Sequence, residues 1–172
     1  MCIIIENKTK QNLLSILDKS LLEKMIEKNP NGFGITYLHN NKTITIKGFG
    51  LENLLKEIEK IENNHCCYYI HLRKATVGKV CLENNHPFDV SGDGLFYLMH
   101  NGTLPGFKQD INQCKTDTAF LAEKIKEHLH LIKNENVLKN IIENIIGDNR
   151  AVLINTNNTI IFNEQKWDSA DK

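Results

Sequence analysis

Met1-Cys2-Ile3-Ile4-Ile5 opens the chain, and the cysteine directly behind the initiator methionine decides how the rest is read. A small side chain at position two lets the methionine be trimmed, so the mature protein is expected to begin at Cys2. Its freed α-amine, with an ordinary pKa of about 7.7–8.0, is partly unprotonated at neutral pH and can accept the proton of the thiol on the same residue. One residue would then supply both nucleophile and general base. Read without its surroundings, the stretch is a chance cysteine at the head of a short β-branched strand, Cys2–Ile5. The segments downstream choose between these readings.

Composition bounds the class of protein. A chain of 172 residues with 41% apolar content fits a single domain, residues 2–172, with one sizeable core. Its formal net charge of +0 leaves no electrostatic footprint for nucleic acid or an anionic membrane. No apolar run approaches the roughly 18–20 residues of a spanning helix, and no secretory leader is visible. A cytoplasmic protein with neither nucleic-acid nor membrane partner is expected. The 5 cysteines, Cys2, Cys66, Cys67, Cys81 and Cys114, are odd in number and lack C-x-x-C spacing, so neither a disulfide framework nor a metal site is indicated.

Periodicity outlines the elements. Leu13, Leu14, Leu17, Leu21, Leu22, Met25 and Ile26 recur at helical spacing within Gln11–Lys28, and Asn29-Pro30-Asn31-Gly32 stops that helix. Phe33–Leu38 and Thr43–Lys47 read as a hairpin around His39-Asn40-Asn41-Lys42, Leu51–Ile61 as a helix, and Cys66–Leu72 as a buried strand on which Cys66 and Cys67 behave as small apolar groups. Leu95–Met99 is the next strand, Thr118–Leu129 and Val137–Ile146 are helices, and Ala151–Ile154 and Ile160–Phe162 close the pattern. Antiparallel strand pairs with helices grouped between them make an α+β layered architecture.

Several segments carry groups suited to chemistry. Breaking a carboxamide through a tetrahedral intermediate needs donors aimed at the developing oxyanion, and Asn101 (side-chain amide) and Gly102 (backbone N–H) offer two. The same Asn-Gly pair is also the strongest signal for a type I′ hairpin turn. Arg73 is one of two arginines in a lysine-rich chain. Its planar fork suits an α-carboxylate, although a strand-end surface charge would look the same. Asp117 stands where a carboxylate stabilises a helix start, and that placement would also fix its direction toward a ligand.

Behind Cys2 come Asn29-Pro30-Asn31-Gly32-Phe33-Gly34, His71-Leu72-Arg73-Lys74-Ala75-Thr76-Val77-Gly78, Asn85-His86-Pro87-Phe88, His100-Asn101-Gly102 and Thr116-Asp117-Thr118. In this order, from Cys2 to about Phe162, they resemble the glutaminase domain of class II glutamine amidotransferases, which are N-terminal-nucleophile hydrolases. The resemblance implies a four-layer αββα sandwich in which Cys2 attacks the side-chain amide of L-glutamine. It implies an oxyanion hole from Asn101 and Gly102, the glutamine carboxylate on Arg73, its ammonium on Asp117, and Thr76 lining the pocket. It makes His71, His86 and His100 supports of loops and pocket walls, with His86 on the substrate side. Ammonia would leave from a γ-glutamyl thioester without metal or organic cofactor. The sequence ends a few residues after its last expected strand and holds no G-x-x-x-x-G-K-[ST] loop, so a separate ammonia-accepting synthase subunit is the expected partner. Ile3, Asn31, Lys74 and Val77 depart from the family's usual glycine, aspartate, tryptophan and histidine, which touches glutamine affinity and ammonia handling more than the nucleophile. Two other readings stay open: an N-terminal-nucleophile hydrolase of another amide, such as an acyl-amino acid or γ-glutamyl amide, and a non-catalytic regulatory subunit.

Overall fold

In the computed structural model, which describes residues 2–8, 12–13, 17–62, 67–108 and 110–168, the strands form two antiparallel sheets of four. The first is built from Ile3–Asn7 (β1), Phe33–His39 (β2), Lys42–Gly48 (β3) and Tyr68–Leu72 (β4), in the order β1-β4-β2-β3. The second is built from Phe88–Asp89 (β5), Tyr97–Asn101 (β6), Arg150–Ile154 (β7) and Thr159–Phe162 (β8), in the order β5-β6-β7-β8. Helices cover Lys19–Lys28 (α1), Leu51–Glu62 (α2), Asp117–His128 (α3) and Glu135–Ile146 (α4). The mixed α+β class with antiparallel strands matches the expectation from the sequence. Among the described residues no helix is long and apolar enough to cross a membrane.

Local chemistry explains where elements differ from the periodicity. The span expected as one helix from Gln11 holds a helical Leu13 and a separate helix from Lys19, which Asp18 caps, accepting from the Ser20 amide at 3.1 Å; Gln11 and Leu14 lie outside the described residues. The hairpin turn is tighter than expected. Asn40 and Asn41 sit at φ 50° and 57°, the two-residue type I′ geometry that asparagine tolerates. Cys66 also lies outside the described residues, and β4 begins only at Tyr68. The strand expected at Leu95 begins two residues later. The Asp89 carboxylate gathers the amides of Gly92 (2.8 Å) and Gly94 (3.1 Å), while Ser91 Oγ accepts from those of Leu95 and Phe96. That compact loop leaves Leu95 exposed.

Apolar side chains collect into three clusters. Leu22, Leu54, Ile58 and Ile61 of α1 and α2 pack on Ile35, Ile70 and Leu72 of the first sheet. Leu121, Ile125, Leu138 and Ile142 of α3 and α4 pack on Leu98, Leu153 and Ile160 of the second. Tyr69, Met99, Val152 and Ile154, with Ile4 and Ile161 against them, form a third cluster in which no described helix residue takes part. Because successive strand residues face opposite sides, β1 sends Ile3 and Ile5 to the helix-bearing cluster and Ile4 to the third. The same alternation gives Cys2 the face of Ile4, Arg73 that of Tyr69, and Asn101 that of Met99.

Candidate active site

β1 pairs with β4 up to Ile3↔Leu72, so the next residues, Cys2 and Arg73, stand together at the end of the sheet. The Cys2 thiol lies against the backbone of Lys74, accepting from its amide at 3.4 Å and facing its carbonyl at 3.5 Å. Burial pushes the Cys2 thiol up, opposed by the Lys74 amide and by the charge of Arg73. At neutral pH the resting group is therefore a thiol rather than a thiolate, and it needs a base to become a nucleophile.

Three sequence segments converge here because glycine lets them touch. A Cβ on Gly32 would stand 2.2 Å from the Asn85 side chain, and one on Gly34 only 1.6 Å from the His86 carbonyl oxygen. The Asn29–Gly34 turn thus lies directly on Asn85-His86. It also grips the end of β4: Arg73 donates its amide to Gly32 O at 2.8 Å, Asn31 donates to Arg73 O at 3.1 Å, and Asn31 Oδ1 accepts from Ala75 at 2.9 Å. A cavity of about 290 Å³ opens on the other side of this turn, lined by Ile26, Asn29, Phe33, Leu54 and Leu72 among others, and Cys2 is not part of it.

Arg73 is buried and already engaged. Its Nη1 donates to Lys79 O at 3.0 Å, and Nη2 to Val77 O at 3.3 Å and Gly78 O at 3.1 Å. Burial lowers its pKa, while Cys2, Cys81 and Asp117 act in the opposite sense. Asp117 is buried too. One oxygen accepts from the Leu104 amide at 2.9 Å and the other from Thr118 at 2.9 Å. Helix capping itself falls to Thr116, whose hydroxyl accepts from Ala119 at 3.0 Å, and this corrects the capping role given to Asp117. The Thr76 hydroxyl meets that of Thr103 at 3.0 Å. Asn101 ends β6, and its Oδ1 is buried without a hydrogen-bond partner among the described residues. Gly102 follows at φ 141°, and among the described residues no strand returns directly after it, so the Asn-Gly pair is not a hairpin turn.

His71, His86 and His100 form one buried cluster beside these groups. His71 Nε2 lies 3.1 Å from His100 O, His71 and His86 meet through Nδ1 at 3.1 Å, and His100 Nδ1 lies 3.1 Å from Thr118 Oγ1. Burial holds all three pKa values down, to about 3 for His71, well below the usual value for His86, and to about 4 for His100. They are neutral links between elements. Among the described residues no group of three or more His, Cys, Asp and Glu is arranged to hold a metal ion.

Thr103 and Asn149 carry no signal in the sequence, where Asn31 stands out only as part of a turn motif and a departure from the resembled family. All three hold the turns around Cys2 and Gly102 through side-chain contacts that depend on strand register. Ile3, which replaces a glycine usual in the resembled family, faces the helix-bearing cluster rather than the site.

The family model described as glutamine amidotransferases class-II matches residues 23–120. The chain is also 32% identical over 174 aligned positions, 92% of its length, to a glutamine–fructose-6-phosphate aminotransferase (isomerizing) of Buchnera aphidicola subsp. Acyrthosiphon pisum (strain APS). It spans 27% of that relative's length.

Proposed function

The chain belongs to the class II glutamine amidotransferases, a family that hydrolyses the amide of glutamine, and from that premise we propose that Cys2 is its nucleophile once Met1 has been removed. The observation that carries the reading is the shared end of two sheets. Cys2 and Arg73 stand at one and Asn101 and Gly102 at the other, and the charges of Arg73 and Asp117 both reach the Cys2 thiol. In this reading the α-amine of Cys2 takes the thiol proton and the sulfur attacks the glutamine side-chain carbonyl. The oxyanion takes the Gly102 N–H and the carboxamide of Asn101, turned so that Nδ2 points inward; the orphaned, buried end of that amide supports this use. The protonated amine gives that proton to the leaving nitrogen as the C–N bond breaks, ammonia departs, and water activated by the amine, neutral again, releases glutamate from the thioester.

Arg73 and Asp117 bind the two ends of the substrate amino acid with the donors and lone pairs that the loops leave free. A guanidinium has five N–H donors and a carboxylate about four acceptor sites. Thr76 lines the pocket, and His86, against His71, backs its wall. The three apolar clusters support a four-layer αββα sandwich formed by one domain over residues 2–172, with helices outside and the helix-free cluster between the sheets. Ammonia is passed to a synthase that accepts it, in line with the aminotransferase named for the matched relative. The test is glutamate release from L-glutamine by the wild type, by Cys2→Ser and by a version with one residue added ahead of Cys2. Activity in the wild type alone is expected; equal activity in the extended form would remove the amine as base.

A further inference from the structure

We propose that Asn149 is a positioning residue for the oxyanion turn at Gly102-Thr103, itself held by Asn163; this rests on the function read above. The paired register of β6 and β7 ends at Asn101↔Arg150, and one further step brings Gly102 opposite Asn149. No ladder continues there. Instead the Asn149 side chain occupies the space above Gly102, where an added Cβ would stand 2.1 Å from Asn149 Oδ1 and 2.8 Å from its Cβ. Its Nδ2 donates to the Thr103 carbonyl at 2.8 Å. One side chain therefore sets both the volume over Gly102 and the direction of the following residue. Gly102 is kept at φ 141°, a conformation in which its N–H can be aimed only if its neighbours hold it.

Asn149 is fixed in turn. The Asn163 Nδ2 donates to the Asn149 carbonyl at 2.6 Å and to Gly147 O at 2.8 Å, while the Asn163 amide donates to Glu143 Oε1 at 2.7 Å. Asn163 is 5% exposed and sits at φ 52°, a left-handed conformation that asparagine accepts more readily than most residues. A strut of two carboxamides thus runs from α4 through the start of β7 to the turn. It ends beside the Thr103–Thr76 hydroxyl pair. A donor for an oxyanion acts through being aimed in advance, and these contacts are what aim it.

The test compares Asn149→Ala with Asn149→Asp, which keeps the shape but sets an acceptor against the Thr103 carbonyl. Both variants should lose about ten- to a hundredfold in kcat for glutamine, less than the 10²–10³ of a deleted oxyanion donor, with KM nearly unchanged. The γ-aldehyde analogue of glutamine gives a second readout. Its carbonyl adds the Cys2 thiol, an S–C bond replacing the C=O π bond while the thiol proton passes to the Cys2 amine, and the resulting oxygen sits in the hole. Aldehyde affinity should fall in both variants while affinity for L-glutamate stays at the wild-type value. Wild-type kcat in Asn149→Asp, or parallel loss of aldehyde and glutamate binding, would overturn the proposal and make Asn149 a residue of general stability. A wild type without glutamine turnover would instead remove the functional reading, and this proposal with it.

Discussion

Arg73 holds two tasks at once in this account, and the two separate experimentally. Three of its hydrogen bonds go to carbonyls of the loop Val77–Lys79, so Arg73→Lys keeps the charge but loses the planar fork. A loss of roughly 1.5–3 kcal/mol is expected, about ten- to a hundredfold in KM for glutamine. If Arg73 reads the α-carboxylate, α-decarboxylated glutamine is insensitive to the change; equal loss for both substrates would leave only the loop brace. Cys2 supplies the pH dependence. Burial keeps its thiol protonated, so kcat/KM should rise with pH as the terminal amine loses its proton, near its ordinary pKa of about 7.7–8.0. A pH-independent kcat/KM between 6 and 9, measured by glutamate release, would contradict the amine as base. Arg73 and Cys2 were legible in the sequence because each stands out by type and position. Asn149 was not, since its partner Gly102 is set by a strand register that one sequence does not reveal.

At the scale of elements, the loops around the site are held by polar caps more than by apolar packing. Thr116 both caps α3 and presses its methyl group toward Gly78, where a Cβ would meet Cγ2 at 2.7 Å. Thr116→Ser keeps the cap and removes that methyl, whereas Thr116→Ala removes both. Loss of the cap should cost about 1 kcal/mol, read as a lower urea midpoint for Ala than for Ser; equal midpoints would deny the cap its role. Gly34→Ala is the severe case, because its Cβ would meet a backbone carbonyl at 1.6 Å and neither segment is a flexible side-chain end. Helices and strands came through in the sequence wherever periodicity ran uninterrupted, as in Leu51–Glu62 and Glu135–Ile146. They differed where a side chain captured the backbone: Asp18 begins a helix of its own at Lys19 inside one expected span, and Asp89 with Ser91 moved the start of β6. Such captures depend on geometry that residue type alone does not give.

For the whole molecule, the buried histidines tie the two sheets and α3 together, and they set how stability responds to acid. The pKa values of His71, His86 and His100 are held below the ordinary 6.5 by burial. As pH falls through about 6.5 the unfolded chain takes up protons that the folded chain refuses. Their contribution is complete above that pH and is lost progressively toward pH 4, at about 1.4 kcal/mol per pH unit for each histidine. The urea midpoint should therefore fall steadily from pH 7 to pH 5; a flat midpoint would mean that the cluster protonates without cost. Whether an N-terminal cysteine acts on glutamine is read by mass mapping after treatment with a γ-electrophilic glutamine analogue. The half-buried Cys67 and Cys81 and the exposed Cys114 serve as internal controls, because they lack a built-in base. One adduct per chain is expected, on Cys2, in a peptide from which Met1 is missing. Adducts spread over Cys67, Cys81 and Cys114, or an active chain that still carries Met1, would contradict it.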